Sequence, residues 1–182
     1  MVEEQRVIHI IEPAASGRSK CRGCGEPIAK DALRLGERLP NPFADGEMTF
    51  WYHLICAAYK RPETLLEALA ETDASLDDRE TLEREGQRGI DHRRLPRING
   101  VHRAPSARAR CRSCREPITK DAWRIPLVFF EEDQFSAAGF VHVGCCSKYF
   151  ETTDVIDRLK HYSSDLSEDD VAELSAALGL PV

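Results

Sequence analysis

The feature that most constrains this sequence is a cysteine-rich motif that occurs twice. The segment Cys21–Cys24 reads Cys-Arg-Gly-Cys, and Cys111–Cys114 reads Cys-Arg-Ser-Cys 90 positions later. Each segment is followed by a His-x2-Cys motif, which begins at His53 in the first copy and at His142 in the second. A shared order of motifs over this distance indicates two copies of one folding module.

Composition limits the classes of protein to which such a repeat can belong. The chain has 182 residues, of which 42% are hydrophobic and 31% charged, as expected for one ordinary folded domain or two small ones. No apolar run approaches the roughly 20 residues that a membrane helix needs, and the first residues do not have the pattern of a signal peptide. We therefore expect neither a membrane protein nor a conventionally secreted one.

The cysteine count favours metal binding over the other uses of cysteine. There are seven cysteines, an odd number, and no export signal supports a disulfide framework, so we expect reduced thiols. A thioredoxin-like redox pair needs a βαβ context that the sequence lacks. Inert buried thiols do not explain a spacing that occurs twice, whereas metal coordination explains both the residue types and the repeat.

Each copy offers three thiolates and one imidazole, which is the donor set of a structural zinc site with a closed tetrahedral shell. We expect two structural Zn²⁺ ions per chain. The predicted ligands are Cys21, Cys24, His53 and Cys56 for one ion and Cys111, Cys114, His142 and Cys145 for the other. Cys146 is an alternative to Cys145, but the spacing of the first copy favours Cys145. Because four protein ligands leave no open position for water, we expect no catalysis at the metal.

The pattern around the ligands predicts small α+β modules stabilised by zinc, each with a short antiparallel sheet plus helices. In each copy the first Cys pair precedes a strand, a polar loop and a second strand that enters the His, and helices follow the last Cys. Capping-box patterns predict further helices that start at Asp77 and at Ser167. We expect the first module over residues 1–86, an Arg/Pro-rich linker over 87–105 and the second module over 106–182.

Charge is segregated along the chain, although the net charge is only −6. Residues 84–124 carry 12 basic and 4 acidic side chains, whereas residues 125–182 carry 3 basic and 11 acidic ones. A basic segment of this kind is typical of contact with a polyanion such as nucleic acid. The acidic stretches are expected on the outer faces of helices.

The first copy resembles the poly(ADP-ribose) polymerase-type (PARP-type) zinc finger, which also occurs in a nuclear DNA ligase and a DNA 3′-phosphatase. The resemblance covers about residues 13–60 and rests on Ser-Gly-Arg before the first Cys pair, Lys-Asp-x-Leu-Arg after it, and Trp-Tyr-His at the second ligand pair. Residues 105–150 match less well, with Ala107 in place of Gly17 and Phe-Val before His142. The resemblance implies tandem fingers that detect DNA strand breaks, with one surface on phosphates and an apolar loop that stacks on exposed base faces.

Two kinds of side chain would carry this recognition: cations near the Cys pairs and apolar side chains in the loops. Phosphate contacts are predicted for Arg18, Lys20, Arg22, Arg34, Arg108, Arg110 and Arg124. Stacking or apolar contacts are predicted for Phe43, Met48 and Phe135. The alternatives are a solvated surface charge for any single cation and a core position for the aromatic side chains. The acidic loop edge after Phe130, residues 131–133, would repel any DNA that faced it.

Together these features predict a non-catalytic, zinc-dependent protein that binds DNA at strand breaks or ends such as nicks, gaps and termini. No Asp/Glu/His cluster beyond the zinc ligands suits two-metal chemistry, so we expect any repair enzyme to be a separate chain. The alternative is a zinc-stabilised protein–protein interaction adaptor, or an accessory subunit of a DNA repair enzyme. We expect a monomer in a bacterial cytoplasm or nucleoid, or else in a nucleus, since Arg outnumbers Lys 19 to 6 and no basic localisation cluster is evident.

Overall fold

The computed structural model describes residues 8–181, and the chain divides into two compact units, Met1–Asp91 and His92–Val182. Within the described residues, each unit has a three-stranded antiparallel sheet and three α-helices. No helix in this range is both long enough and apolar enough to cross a membrane. The predicted fold, two small α+β modules that each hold a four-ligand Cys/His zinc site, is confirmed.

The sheet of the first unit contains strands β1, β2 and β3, which lie side by side in chain order. Their bounds are Ile10–Pro13, Leu33–Pro40 and Glu47–His53. Strands β2 and β3 form a hairpin in which Arg34 lies opposite His53 and Pro40 lies opposite Glu47, so residues 41–46 form its loop. At about 3.3 Å per residue, the hairpin extends roughly 20 Å from its zinc-ligand end to this loop.

Three helices follow the sheet of the first unit and pack against one another. Helices α1, α2 and α3 span Leu54–Lys60, Pro62–Glu71 and Arg79–Asp91. Pro62 is the first residue of α2, where its missing N–H costs no helical hydrogen bond. A Cβ on Gly89 of α3 would approach the ring of Pro62 to 3.0 Å, so the close packing of these two helices favours glycine.

A buried carboxylate joins this sheet to its helices. Glu37 on β2 is fully buried and accepts hydrogen bonds from Arg61 at 2.6 and 2.8 Å, from the Thr64 hydroxyl at 2.9 Å and from the Tyr52 hydroxyl at 3.2 Å. Thr64 and Tyr52 are buried as well. Because a buried charge is costly unless it is paired, this cluster fixes the start of α2 against the middle of β2.

The second unit repeats this plan with shorter helices. Strands β4, β5 and β6 span His102–Arg103, Trp123–Glu131 and Gln134–His142. Helices α4, α5 and α6 span Cys146–Phe150, Ile156–His161 and Glu168–Ala177. Strands β5 and β6 are joined by a two-residue turn, Glu132 and Asp133, in which both residues have positive φ (49° and 60°). The β5–β6 hairpin therefore ends more tightly than the β2–β3 hairpin of the first unit.

The segment predicted as a linker, residues 87–105, has regular structure that belongs to the two units. Its first residues complete α3, and Leu95–Arg97 forms a short 3₁₀ helix. Its apolar residues are buried in the core of the second unit, and they recur every third position: Leu95, Ile98, Val101 and Ala104. This corrects the prediction of a separate linker. The sequence suggests a linker because many Arg and Pro residues stand between the apolar positions of this short repeat.

The helix starts agree with the capping-box patterns to within two residues. Ser167 caps α6: its Oγ accepts from the N–H of Asp170 at 3.1 Å, and Oδ2 of Asp170 accepts from the N–H of Ser167 at 3.0 Å. Helix α3 begins at Arg79, two residues after the predicted Asp77. The sequence pattern therefore located both helices and one of their two caps.

Candidate metal centres and nucleic-acid interface

The first metal centre lies where the first Cys pair meets the end of β3. The ligand atoms of Cys21, Cys24, His53 and Cys56 all lie within 4.8 Å of one another. Nδ1 of His53 is 3.4 Å from Sγ of Cys24 and 3.8 Å from Sγ of Cys56. Zn–S and Zn–N bonds of about 2.3 and 2.0 Å place tetrahedral ligands about 3.5–3.8 Å apart. These four side chains therefore fit one zinc ion.

Local backbone structure directs the four ligand atoms to one point. The chain turns at Gly25, which has a φ of 81° and whose N–H donates to the carbonyl of Cys21 at 2.8 Å. Sγ of Cys21 accepts hydrogen bonds from the N–H groups of Gly23 and His53, both at 3.3 Å. His53 is the last residue of β3 and Cys56 lies in the first turn of α1, so the junction of strand and helix delivers the second ligand pair.

Both histidines are oriented by the same kind of backbone contact. Nε2 of His53 lies 3.2 Å from the carbonyl oxygen of Pro27, and Nε2 of His142 lies 3.3 Å from that of Pro117. When Nδ1 binds zinc, Nε2 carries the proton, and this N–H donates a hydrogen bond to the carbonyl oxygen. A contact of this kind fixes the tautomer and the ring orientation of a zinc-binding histidine.

The second centre repeats the first. The ligand atoms of Cys111, Cys114, His142 and Cys145 lie within 4.8 Å of one another. Nδ1 of His142 is 3.4 Å from Sγ of Cys114 and 3.9 Å from Sγ of Cys145. Cys146 is outside this cluster and is buried in the core of the second unit. Both ligand sets predicted from the sequence are thus brought together, and they fit two structural zinc ions.

The protein groups alone favour one thiolate at each centre, because the pKa values of Cys21 and Cys111 both lie below the usual value of a thiol. A hydrogen bond from the Cys56 side chain lowers the pKa of Cys21 to about 4, and the same contact raises the pKa of Cys56. In the second centre, burial and then the charge of Cys111 raise the pKa of Cys145 to about 12. Bound Zn²⁺ supplies the positive charge that allows all three thiols of a centre to ionise, so zinc binding releases protons.

Five of the predicted phosphate contacts are exposed cations near the Cys pairs. They are Arg18, Lys20, Arg22, Arg108 and Arg110. The guanidinium of Arg22 lies 4.1 Å from the ring centroid of Phe50 on β3. A terminal nitrogen of Arg110 donates to the carbonyl of Arg115 at 3.2 Å. These contacts hold two of the five cationic groups in place at the surface.

Arg34 and Arg124, also predicted to contact phosphates, are buried, with exposures of 7% and 8%. Arg34 donates to Oε1 of Glu12 and to Oγ of Ser19, each at 2.9 Å. Its guanidinium lies 3.4 Å from the ring centroid of Trp51. Arg34 therefore has an ionic partner within the first unit, which the sequence did not predict.

Arg124 has the same place in the second unit but a different partner. Its Nε donates to Nε2 of His102 at 2.9 Å, and its guanidinium lies 3.7 Å from the ring centroid of Phe140. Sequence reasoning missed both Glu12 and His102. The signal that could have found them is the 90-residue offset, because it aligns Glu12 with His102 as well as one Arg with the other.

The hairpin loop of the first unit presents an unusually exposed aromatic side chain. Phe43 is 94% exposed, and its N–H donates to Oδ1 of Asn41 at 2.9 Å. The N–H of Asn41 in turn donates to the carbonyl of Gly46 at 3.0 Å, and Gly46 has a φ of 108°. Met48, also predicted at this surface, is half-buried in β3. These two hydrogen bonds order the backbone of the loop, and the Phe43 ring projects from it into solvent.

The hairpin of the second unit presents no comparable group among the described residues. Phe135 is half-buried, with its ring centroid 5.0 Å from that of Phe130. The turn itself is acidic, with Glu131 and Glu132 exposed and Asp133 half-buried. The prediction that Phe135 is available for stacking therefore differs from the structure. The tight turn packs the Phe135 ring across the hairpin onto Phe130.

Comparison with known proteins identifies the first unit. Residues 12–93 match the family described as the poly(ADP-ribose) polymerase and DNA-ligase zinc-finger region. The first unit belongs to the PARP-type zinc fingers. Poly(ADP-ribose) polymerase 1 from Danio rerio is 31% identical over 153 residues, which cover 74% of this chain and 15% of that protein. A polynucleotide 3′-phosphatase from Arabidopsis thaliana is 26% identical over 191 residues, which cover 91% of this chain and 27% of that protein.

Both similarities extend beyond one unit, and the second unit repeats the strand order and the ligand set of the first. The chain thus has the arrangement of two tandem zinc fingers, of which the first matches the PARP-type family. It spans about one seventh of the polymerase and about one quarter of the phosphatase.

Proposed function

We propose that the protein is a non-catalytic DNA-binding protein that recognises strand breaks or ends. The observation that carries this proposal is the 94% exposure of Phe43 on the hairpin loop of the first unit. A continuous duplex hides its base faces by stacking, whereas a nick, gap or end exposes one of them. Stacking of an aromatic ring on such a face is worth about 1–3 kcal/mol and does not depend on base sequence.

The dimensions of the β2–β3 hairpin agree with this mode of binding. The buried Arg34 marks its zinc-ligand end, and the loop with Phe43 lies roughly 20 Å away along the strands. Successive bases along one DNA strand are about 3.4 Å apart, so this length corresponds to about six base pairs. Cations near the Cys pair would therefore hold phosphates about six base pairs from the base face that Phe43 covers.

The relatives support a nucleic-acid partner and do not extend to their own catalytic activities. The names of the two relatives describe a poly(ADP-ribose) polymerase and a polynucleotide 3′-phosphatase, but this chain matches only a small part of each. We propose that the protein acts as a monomer that marks or protects broken DNA and recruits an enzyme present on another chain. Its location would then be wherever that DNA lies, a bacterial nucleoid or cytoplasm or else a nucleus.

A protein–protein adaptor is the second candidate, and one observation favours it. The first unit, Met1–Asp91, has 12 basic and 18 acidic side chains, so its net charge of −6 opposes binding to DNA at long range. An adaptor would need zinc for its fold but would show no affinity for any DNA at low salt.

Binding to nicked, gapped, blunt-ended and covalently closed DNA over a salt series separates the two candidates. Phosphate contacts predict a log–log salt slope of about −0.9 for each contact. Recognition of breaks predicts that nicked or gapped DNA stays bound when closed circular DNA is added as a competitor. Equal affinity for broken and closed DNA would contradict break recognition, and no binding to either would favour the adaptor.

Two variants test the phosphate contacts and the base stacking separately. Arg18→Ala is expected to weaken binding to every DNA and to reduce the salt slope by about 0.9. Lys160→Ala is the control: it removes an exposed cation of helix α5, outside the basic segment, and should leave the affinity and the salt slope unchanged. Phe43→Ala is expected to reduce affinity for nicked DNA by about 5- to 150-fold, with little change for closed DNA. Phe43→Tyr keeps the ring and should retain the preference, whereas an equal loss on every DNA would contradict stacking.

A further inference from the structure

Three arginines form a basic surface of the second unit away from its zinc ligands. Arg93, Arg94 and Arg97 lie at the short 3₁₀ helix that precedes β4, and we call them the arginine patch. Arg93 and Arg94 are exposed and Arg97 is half-buried. Leu95 and Ile98 are 0% and 1% exposed and anchor this segment in the core. Since a 3₁₀ helix has about three residues per turn and rises about 2 Å per residue, Arg94 and Arg97 project from one side about 6 Å apart.

Aromatic side chains, rather than carboxylates, hold the arginine patch in place. A terminal nitrogen of Arg94 donates to the carbonyl oxygen of Tyr149 at 3.1 Å, and one of Arg97 donates to the Tyr149 hydroxyl at 3.1 Å. The guanidinium of Arg94 lies 4.9 Å from the ring centroid of Tyr149, and that of Arg97 lies 4.4 Å from the ring centroid of Phe129. Within residues 8–181, no carboxylate forms an ion pair with any of the three arginines. The patch therefore keeps its positive charge.

The arginine patch and Arg124 lie on opposite faces of the second sheet. Side chains alternate between the two faces along a strand, so Phe129 lies on the same face of β5 as Ile125, which is fully buried in the core. The irregularity of the hairpin places its extra residue on β6, so β5 keeps this alternation. Arg124 lies on the other face, where it covers the ring of Phe140. Since Arg97 covers Phe129, a straight duplex held on the face of Arg124 does not reach the patch.

The first unit has no counterpart of the arginine patch in its sequence. The 90-residue offset that aligns the first Cys pairs places Glu3, Glu4 and Val7 at the positions of the three arginines. The patch is therefore specific to the second unit and is separate from the features that the two zinc-binding modules share.

The chemistry of the arginine patch suits a DNA backbone. Guanidinium groups with open N–H groups bind phosphate oxygens through charge-assisted hydrogen bonds. Duplex DNA carries one negative charge per about 1.7 Å of its axis, so two fixed cations about 6 Å apart face several phosphates at once. An acidic protein segment would have to hold carboxylates at a similar density to compete.

We propose that the arginine patch binds the phosphate backbone of a second DNA segment, so that one chain holds two segments at once. This inference rests on the proposed function, because the first segment is the broken DNA bound at the Cys pairs and the Phe43 loop. The opposite orientation of Arg97 and Arg124 is the observation that separates the two segments.

A capture assay with the full zinc-loaded chain tests this proposal. Nicked duplex is fixed to beads, the chain is added at less than one molecule per duplex, and labelled covalently closed DNA is then supplied. The unsubstituted chain should retain the closed DNA. R93Q/R94Q/R97Q should reduce this capture at least tenfold and make its salt slope smaller by about 2.7, which is three contacts at about 0.9 each. Its affinity for nicked DNA alone should not change.

Two further variants separate charge from folding. R93K/R94K/R97K is the matched control, because it keeps the three positive charges and should keep most of the capture. Arg93→Gln changes an exposed side chain that makes no hydrogen bond or ion pair within residues 8–181, so it tests the patch without disturbing the Tyr149 contacts. It should make the salt slope of capture smaller by about 0.9. Two zinc ions per chain and an unchanged circular dichroism spectrum would show that each variant is folded.

The other outcomes separate this proposal from the proposed function. Full capture by R93Q/R94Q/R97Q, or no capture by the unsubstituted chain, would overturn the second surface while break recognition on single duplexes stays intact. Equal affinity of the unsubstituted chain for nicked and closed DNA would overturn break recognition, whereas capture that still depends on the three arginines would keep the patch. Retention of labelled polyglutamate in place of closed DNA would assign the patch to an acidic protein and overturn its assignment to DNA.

Discussion

Replacement of Glu37 by Ala is expected to destabilise the first unit by about 3–5 kcal/mol, as measured for other buried charges that lose a partner. The Thr64 and Tyr52 hydroxyls are buried and would lose this acceptor, and a buried polar group without a partner costs about 1–3 kcal/mol. Arg61 would lose its charge partner too, but its side chain is 24% exposed and water can partly replace the carboxylate. The two hydroxyls therefore account for most of the loss.

Urea unfolding of the zinc-loaded chain measures this loss. For a small domain with an m-value of about 1–3 kcal/mol per molar urea, it shifts the midpoint by one molar or more. Glu37→Gln keeps one acceptor oxygen and the shape of the side chain, so its loss should be clearly smaller. The second unit has Leu127 at the corresponding position, and its transition should not move in either variant. An Ala variant within about 1 kcal/mol of the unsubstituted chain would refute the role of this cluster.

Further measurements test the metal centres, a helix cap and the length of DNA bound. Cys145→Ser should reduce bound zinc from two ions to one per chain by atomic absorption, whereas Cys146→Ala should keep both; the opposite result would exchange their roles. Complete removal of zinc should abolish the circular dichroism of folded structure in both units, since structural zinc contributes on the order of 10 kcal/mol; an unchanged spectrum would contradict a structural role. Ser167→Ala should lower the stability of the second unit by about 1 kcal/mol in thermal unfolding, whereas Ser167→Thr should keep it. Nicked duplexes with an arm shorter than about six base pairs on either side should bind more weakly; affinity that did not vary with arm length would contradict the proposed spacing.

The parts of the fold that follow from local spacing could be predicted from the sequence. The duplicated ligand motif determines both metal centres, because the two Cys pairs and the His-x2-Cys segments permit few other folds that bring four ligands together. The cap at Ser167 depends on residues three positions apart and was equally visible. These features need no knowledge of which strands are neighbours.

The remainder depends on contacts between distant segments. The sequence does not show that Arg34 and Arg124 are buried, because their partners lie across a strand boundary 22 residues away in both units. The segment that includes Leu95 and Ile98 looks like a linker because Arg and Pro surround its apolar residues. Its burial becomes evident only when the sheet that it covers is known, since Ile98 pairs with Leu127 on β5.

The two units share the same zinc-binding framework and differ at the surfaces next to it. The zinc ligands, the histidine contacts and the stacked arginines recur in both units, and each arginine lies opposite its zinc-binding histidine in the sheet. The hairpin loop and the partner of the arginine differ, and neither is needed to hold zinc. The first unit exposes Phe43 and pairs Arg34 with Glu12, whereas the second has an acidic turn and its Arg124 donates to His102. Under the proposed function, this difference assigns base-face recognition to the first unit, because among the described residues only its hairpin loop exposes a large aromatic ring.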